Sequence, residues 1–350
     1  MPPKTARQLD RFSQFGLVAG TLALDDAGMR PGEARRCVAG ADRDLPRQRA
    51  RRHRLRRGAA RAVPREGHPP GRPEPRPRGL RRRGAGEPRD RARRPRADPR
   101  RPRTRAPAGA VAIGEALGAI RAGEIDAAIA GGVEIPLSPL AFGAFDIIRA
   151  LSGGSNDDPE HACRPFDAKR DGFVMGEGAA LLVLEAEDVV RARSGAEPYA
   201  EVMGYGSTSD AFHMVQPRAD GSEAARAASI AMADAAVEPE SIDFVSAHAS
   251  STPLGDIAEA RAIALALGPD VAARVPVSGT KALYGHPLGA SGAIEAAICA
   301  LAIRDGWVPA SVNLVRAGRG RSARCCRGCC ARAARARTAG SSRRRSGSAG

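Results

Sequence analysis

A layered α/β fold is what this sequence predicts, and three observations predict it. Short, continuous apolar runs recur, as in DAAIAGGVE, Ala179–Leu184, DFVSA and VPVSG, the pattern of strands buried on both faces. Between them lie stretches of helical period, 108–122 and 290–304, rich enough in Ala and Gly to pack closely on several sides. Two late apolar runs each lead into a Gly/Ser/Thr-rich loop bearing a histidine: His248 in VSAHASSTPLGD and His286 in SGTKALYGHPLGASG. Loops held at strand ends by a rigid scaffold are where catalytic groups concentrate, and two imidazoles there could donate to one developing oxyanion.

In chain order, residues 9–28 read as an amphipathic helix with Phe12, Phe15, Leu22 and Leu24 as its apolar contacts and Gly28 as its end. Helical text resumes at Ala108, placing Ile113, Leu117 and Ile120 on one face with Gly123 as C-cap. After the strand DAAIAGGVE, SPLAFGAFDIIRALS reads as a loop region and GGSNDDPE as a turn. RPFDAKRDGFVMGEGAALLVLE then ends in a strand, and EDVVRARSGAEP reads as a polar linker. A strand (YAEVMGYG), a loop (STSDAFHMVQPR) and a helix from about Ser222 to Ala236 precede the two histidine-bearing units. The last helix, 290–304, sets Ile294, Ile298 and Leu301 on one side. Strands alternating with helices in this way indicate layers of sheet and helix.

The formal net charge of +16 over 350 residues suggests a nucleic-acid partner, but the average hides unlike parts. Residues 35–107 hold 27 Arg, no Lys and 7 acids, a net of +20, and residues 316–350 hold 11 Arg and no acid, a net of +11. The remainder carries −15 and contains every Phe, Tyr and Trp. Segment 35–107, with Leu45, Leu55 and Leu80 as its only Leu and no Ile, Met or aromatic, cannot bury enough apolar surface to offset its ordering entropy. It is expected to be disordered, as is the tail 316–350. No apolar run reaches membrane-spanning length, and MPPKTARQLDRF lacks the apolar region of a signal peptide. Cys163 and Cys299, the two cysteines of the well-patterned body, suit a reducing cytoplasm and read as small core residues.

Six stretches together carry a family pattern: KTARQLDRFSQFGLVAG, AGAVAIGEALGAIRAGEIDAAIAGGVE, RPFDAKRDGFVMGEGAALLVLE, GYGSTSDAFHM, AHASSTPLGDIAEARAI and GTKALYGHPLGASGAIEAAICALAIRDGWVPASVNL. In order and spacing the chain resembles the elongating β-ketoacyl-(acyl carrier protein) synthases, synthase II-like condensing enzymes of fatty acid and polyketide assembly. The resemblance implies a thiolase-like fold of five layers, α-β-α-β-α, built from two halves and here incomplete. Residues 1–185 would form the N-terminal half and 195–315 the C-terminal half. It implies a Cys-His-His site in which His248 and His286 are the histidines and Lys281 precedes the second. Asp256 and Glu259 match acidic positions that support the site, and Asp210 and His213 match a loop close to it. It further implies an acyl carrier protein partner bearing acyl and malonyl thioesters, a homodimer or ketosynthase heterodimer, a cytoplasmic setting and no cofactor. Taken alone, Lys281 reads equally well as a solvated loop cation.

The family's Cys, expected at the start of the buried helix where dipole and free N–H groups lower a thiol pKa, is missing. The string reads TRAPAGAVAIG, and the nucleophile position falls on Ala106. Read one base earlier, codons for Thr104–Pro107 permit Asn, Ser, Cys, Ala, the family's own string. Residues from about 35 to 107, and those after about 315, are therefore expected to be out-of-frame text, which translation of the neighbouring frames would test. The family's first strand would lie upstream of Met1, and its closing Gly-Phe-Gly-Gly loop is replaced by Arg-rich sequence. The literal chain is expected to lack condensing activity.

Other signals weigh less. Cys325, Cys326, Cys329 and Cys330 have metal-like spacing but no partner ligands nearby, so no metal is expected. The Arg-rich blocks lack aromatics for base stacking, so no specific nucleic acid is expected, although an Arg-rich binding protein is a rival reading. The strings GEGA and GYGSTS lack the strand-GxGxxG-helix context of a dinucleotide site. A non-catalytic chain-length-type partner subunit is the other rival, although such partners usually carry Gln in place of the Cys.

Overall fold

The computed structural model describes residues 6–29, 108–193, 195–213 and 215–317. The chain divides into two compact units, Met1–Val38 with Pro102–Gly350 and Ala39–Arg101, and every described residue belongs to the first. Ala106, the expected out-of-frame segment, the Cys325–Cys330 group and Met214 lie outside the described residues.

The first layer set is built on one antiparallel pair. Strands β1 (Ala127–Glu134) and β2 (Gly178–Glu185) run in register from Ala127 opposite Glu185 to Glu134 opposite Gly178. Side chains alternate between the faces of a strand. On one face Ala128, Ala130, Ala180, Leu182 and Leu184 pack with Ile113 and Ala116 of helix α2 (Ala108–Arg121) and with Ala293 of the last helix. On the other, Val133 and Leu181 meet Gly16 and Gly20 of helix α1 (Arg11–Asp26), whose start is capped by the Asp10 side chain accepting from Ser13 N.

A second core gathers Phe166, Ala247, Ala249, Ile263, Leu267, Val271 and Val277. Its frame comprises helix α5 (Ser222–Ala235), strand β3 (Val245–Ser246), helix α6 (Pro253–Leu267), the short α7 (Pro269–Arg274) and strand β4 (Val277–Ser278). Strands β3 and β4 are parallel, Val245 opposite Val277 and Ser246 opposite Ser278. The loop after β3 and the short helix α8 (Lys281–Tyr284) after β4 therefore leave the sheet side by side. Helix α9 (Ser291–Asp305) closes the set, crossing α2 closely: a Cβ on Gly109 would stand 2.8 Å from Ala293 N, and one on Gly292 2.9 Å from the Ala110 Cβ.

Several sequence expectations change. SPLAFGAFDII is not loop but carries helix α3 (Pro139–Ile147), started by the Ser138 side chain accepting from Ala141 N and by proline at N1. EDVVRA, read as linker, forms helix α4 (Glu187–Ala192), with both acids in the first turn, where they complement the dipole. YAEVMGYG joins no ladder among the described residues. Its Gly204 and Gly206 instead press on α5, where added Cβ atoms would meet the Ala231 and Ala227 carbonyl oxygens at 2.3 and 2.0 Å. On α1, Phe12, Phe15 and Leu22 are exposed, because the helix approaches the sheet through its glycines. On α9 the buried residues are Ser291, Ala293 and Ala302 rather than the Ile/Leu side, since only small residues permit the crossing with α2. Finally, Arg316 and Ala317, read as the start of a disordered tail, are held: Asp167 Oδ2 accepts from Val315 N (2.9 Å) and Arg316 N (2.7 Å), and Asp167 and Ala317 form a β-bridge.

Candidate active site

The parallel β3–β4 pair brings the two histidines together. Their rings meet edge to face with centroids 5.0 Å apart, and Phe173 stands edge-on to His286 from another side at 5.2 Å. His286 is fixed through its backbone: its N–H donates to Val174 O (2.7 Å) and its carbonyl accepts from Gly176 N (3.1 Å). That approach requires glycine at 176, where a Cβ would lie 2.4 Å from Tyr284 O, and at Gly285, which has φ +75°. The His286 Nδ1 lies 2.9 Å from Ser291 Oγ. The Ser291 hydroxyl can donate or accept there; when it donates to Nδ1, the proton of the neutral ring sits on Nε2, ready to donate.

The loop carrying His248 is set by carboxylates. Glu259, on α6, accepts from His248 N (2.5 Å) and Ala249 N (2.7 Å). Asp256, in the first turn of α6 and only 1% exposed, accepts from Phe166 N (2.7 Å) and Ser251 N (3.1 Å), with Arg170 Nε 3.3 Å away. Phe166, Ala249 and Ser251 all have positive φ, at 62°, 43° and 68°. Left-handed backbone costs an ordinary residue roughly 1–2 kcal/mol, so three such residues in one place mark a backbone held by its surroundings. The acceptors named here bind the amides of those same three residues.

Lys281 is no solvated cation: it is 0% exposed, and its Nζ donates to the His248 carbonyl and to Glu295. Its charge, together with burial, decides the state of both rings. Burial first, then Lys281, holds His286 down to about 3, and burial, Lys281 and His286 in that order push His248 well below its ordinary value. The His248 side chain still opens to solvent, which tempers the burial contribution, and the Lys281 charge supports the same direction. Both rings are thus neutral N–H donors at pH 7 rather than imidazolium ions. Burial raises Asp256 to about 7 and Glu295 to about 7, and it raises Glu259 as well.

The expected residues therefore divide. His248, His286, Lys281, Asp256 and Glu259 converge. Asp210 and His213 have local hydrogen bonds among the described residues: Asp210 accepts from Arg218 N (2.8 Å), and His213 Nδ1 accepts from Val215 N and Gln216 N (3.1 and 3.0 Å). Glu295, Ser291 and Arg170 went unread. Glu295 had a signal, as the lone acid inside the Ala/Ile-rich turns of α9. Cys163 is buried with its thiol pushed up to about 11, chiefly by burial, so it offers no thiolate; burial likewise raises Cys299. The start of α2 abuts the turn just beyond His286, since a Cβ on Gly109 would lie 3.2 Å from Gly289 O. Among the described residues no group of His, Cys, Asp and Glu could hold a metal, and no helix is long and apolar enough to cross a membrane.

Two family profiles match the chain: "Beta-ketoacyl synthase, N-terminal domain" over residues 103–189 and "Beta-ketoacyl synthase, C-terminal domain" over residues 199–315. The 3-oxoacyl-[acyl-carrier-protein] synthase 2 of Staphylococcus aureus is 46% identical over 207 residues, 59% of this chain and 49% of that protein. That of Vibrio cholerae is 47% identical over 202 residues, 58% of this chain and 48% of that protein. The chain thus spans about half the length of the curated relatives it matches. Among solved structures, a complex of a type II PKS acyl-carrier protein with its ketosynthase bound to the hexaketide matches with TM-score 0.61 and 38% identity, over 63% of this chain and 53% of that one. A beta-ketoacyl synthase from Burkholderia phymatum matches with TM-score 0.58 and 42% identity, over 62% and 51%. The ishigamide ketosynthase/chain length factor matches with TM-score 0.55 and 38% identity, over 61% and 49%.

Proposed function

The chain belongs to the β-ketoacyl synthase family, and from that premise we propose that its site is built for decarboxylative Claisen condensation of an acyl thioester with a malonyl thioester on a carrier protein. The described residues carry part of the thiolase-like α/β fold of the ketosynthases they match. One observation carries the reading: two imidazoles meet at 5.0 Å beside a buried lysine. When the malonyl carboxylate leaves as CO₂, its C–C bonding pair becomes a thioester enolate, whose oxygen needs donors already in place. His248 and His286 supply them; burial first, and the Lys281 charge second, favour the neutral form of both rings, and Lys281 does not itself enter the reaction. In a condensing enzyme the enolate carbon attacks an acyl group held on cysteine and expels the thiolate. In this sequence the family's cysteine position falls on Ala106, so with no acyl-enzyme to attack the enolate takes a proton from water and leaves as the acetyl thioester.

This chain accordingly performs slow malonyl-thioester decarboxylation and no condensation, in the cytoplasm, with a carrier protein as partner and a second ketosynthase subunit completing the assembly. The missing thiol also favours a chain-length-type partner role, and the retained His248, Lys281 and His286 favour the catalytic one. The test is to incubate the purified full chain with malonyl-carrier and acyl-carrier protein and follow acyl species by mass. Acetyl-carrier is expected, with none in His286→Ala. A β-ketoacyl product, or decarboxylation indifferent to His286→Ala, would overturn the proposal. Tight binding to a cysteine-bearing ketosynthase without decarboxylation would favour the partner role.

A further inference from the structure

We infer that Arg170 is a positioning residue for His248, a guanidinium that binds the RPFD turn to the loop and helix start on which that histidine is set. The inference rests on the reading of the His248–His286 pair as the reacting site.

The geometry is dense for one side chain. Arg170 Nη1 donates to Asp167 O (2.8 Å), Nη2 to Pro253 O (3.0 Å) and Nε to Thr252 O (3.3 Å), while Nε lies 3.3 Å from Asp256 Oδ2. The side chain is 8% exposed, so these contacts replace water rather than supplement it. Thr252 is the N-cap of α6, accepting from Gly255 N, and Pro253 is that helix's first residue. A cation at a helix N-terminus opposes the macrodipole; at Arg170 that is offset by the Asp256 carboxyl in the same first turn and by the three carbonyl oxygens its guanidinium meets. Arg170 and Asp256 form one unit.

That unit reaches the far end of the His248 loop, Ser251, in two contacts. The same Asp256 carboxylate accepts from Ser251 N and Phe166 N, both in left-handed backbone, and Ser251 Oγ accepts from Arg164 N at 3.0 Å. Ser251 lies three residues beyond His248, and Glu259 holds the intervening Ala249 amide. Arg170 thus fixes one end of the His248–Ser251 loop, and Glu259 the other. The groups charged or titratable around Asp256 are Arg170, Glu259 and the Cys163 thiol. Lysine could supply the charge at 170 but not the planar fork that meets three carbonyl oxygens at once.

His286 hangs from a different support, the 174–176 backbone and Ser291, which separates the outcomes. The full chain, labelled in its histidines, is compared by NMR as parent, Arg170→Met and Arg170→Lys. In Arg170→Met the His248 ring signals are expected to move most, those of His286 less and only as the ring neighbour of His248 at 5.0 Å, and those of His161 not at all. Turnover of malonyl-carrier should fall about tenfold or more with KM within about twofold, since a misplacement on the order of 1 Å can cost about 10²-fold in rate. Arg170→Lys should recover part of both changes. An unmoved His248 signal in Arg170→Met, or signals of His248, His286 and the distant His161 moving to a similar extent as the fold loosens, would overturn the inference. If the parent chain does not decarboxylate, the proposed function fails, and the NMR comparison alone decides the role of Arg170.

Discussion

Replacing Glu259 by glutamine tests how the His248 loop is held. The carboxylate offers two oxygens to two amides, His248 N at 2.5 Å and Ala249 N at 2.7 Å. Glutamine is nearly isosteric but keeps a single acceptor, and its NH₂ group would face the other amide donor to donor. A hydrogen bond to a charged group contributes about 1.5–3 kcal/mol, and a buried donor left unsatisfied costs about 1–3 kcal/mol. Against this, burial raises the Glu259 pKa, so the parent pays for an ionised carboxylate that the variant no longer buries. The opposing contributions leave a net destabilisation of about 2 kcal/mol, roughly a 30-fold fall in the folded-to-unfolded ratio. The assay is urea unfolding of the full chain followed by the fluorescence of Trp307, its one tryptophan. A Glu259→Gln variant within about 0.5 kcal/mol of the parent would refute the argument and show that the left-handed turn at Ala249 is maintained without the carboxylate.

Two further outcomes follow from the same geometry. Because His286 is held down to about 3, its ring should stay neutral from pH 8 to pH 5 in a histidine NMR titration. The unfolded chain, by contrast, takes up a proton through about 6.5, so this group favours folding above that pH and loses up to about 1.4 kcal/mol per unit as pH falls below it; a midpoint above pH 5.5 would contradict the described burial. Gly176→Ala should destabilise the chain by about 1–3 kcal/mol and displace His286, because the new methyl would lie 2.4 Å from Tyr284 O; an unchanged unfolding midpoint would mean that the 174–176 segment yields freely.

The site was more legible than the scaffold around it. His248 and His286 announced themselves because each loop follows an apolar run with its own Gly/Ser/Thr composition, a local signal that needs no long-range contact. Lys281 was half legible: a lysine in a loop looks solvated until Glu295, fourteen residues on, is known to lie against it. The support given by Arg170 was invisible for the same reason, since its partners at the start of α6 lie 82 to 86 residues away in sequence. Helix α3 was misread as loop although Ser138-Pro139 is a sound start signal, because PLAFGAFDI is apolar almost throughout and so shows no period. YAEVMGYG failed in the opposite sense: it reads as a strand, but its glycines fit it against a helix. Phe12, Phe15 and Leu22 of α1 and Leu301 and Ile303 of α9 are exposed, because glycine and alanine, not bulk, decide where those helices approach most closely.

The clasp at Asp167 has a consequence for inheritance rather than for chemistry. Its carboxylate grips Val315 and Arg316 by their amide groups, which every residue except proline possesses, and the bridge to Ala317 is likewise made by backbone. Such a contact is blind to spelling. A lineage could rewrite residues 315–317 freely, by substitution or by a slip in the coding register, and this attachment would survive unless the new text placed proline at 315 or 316.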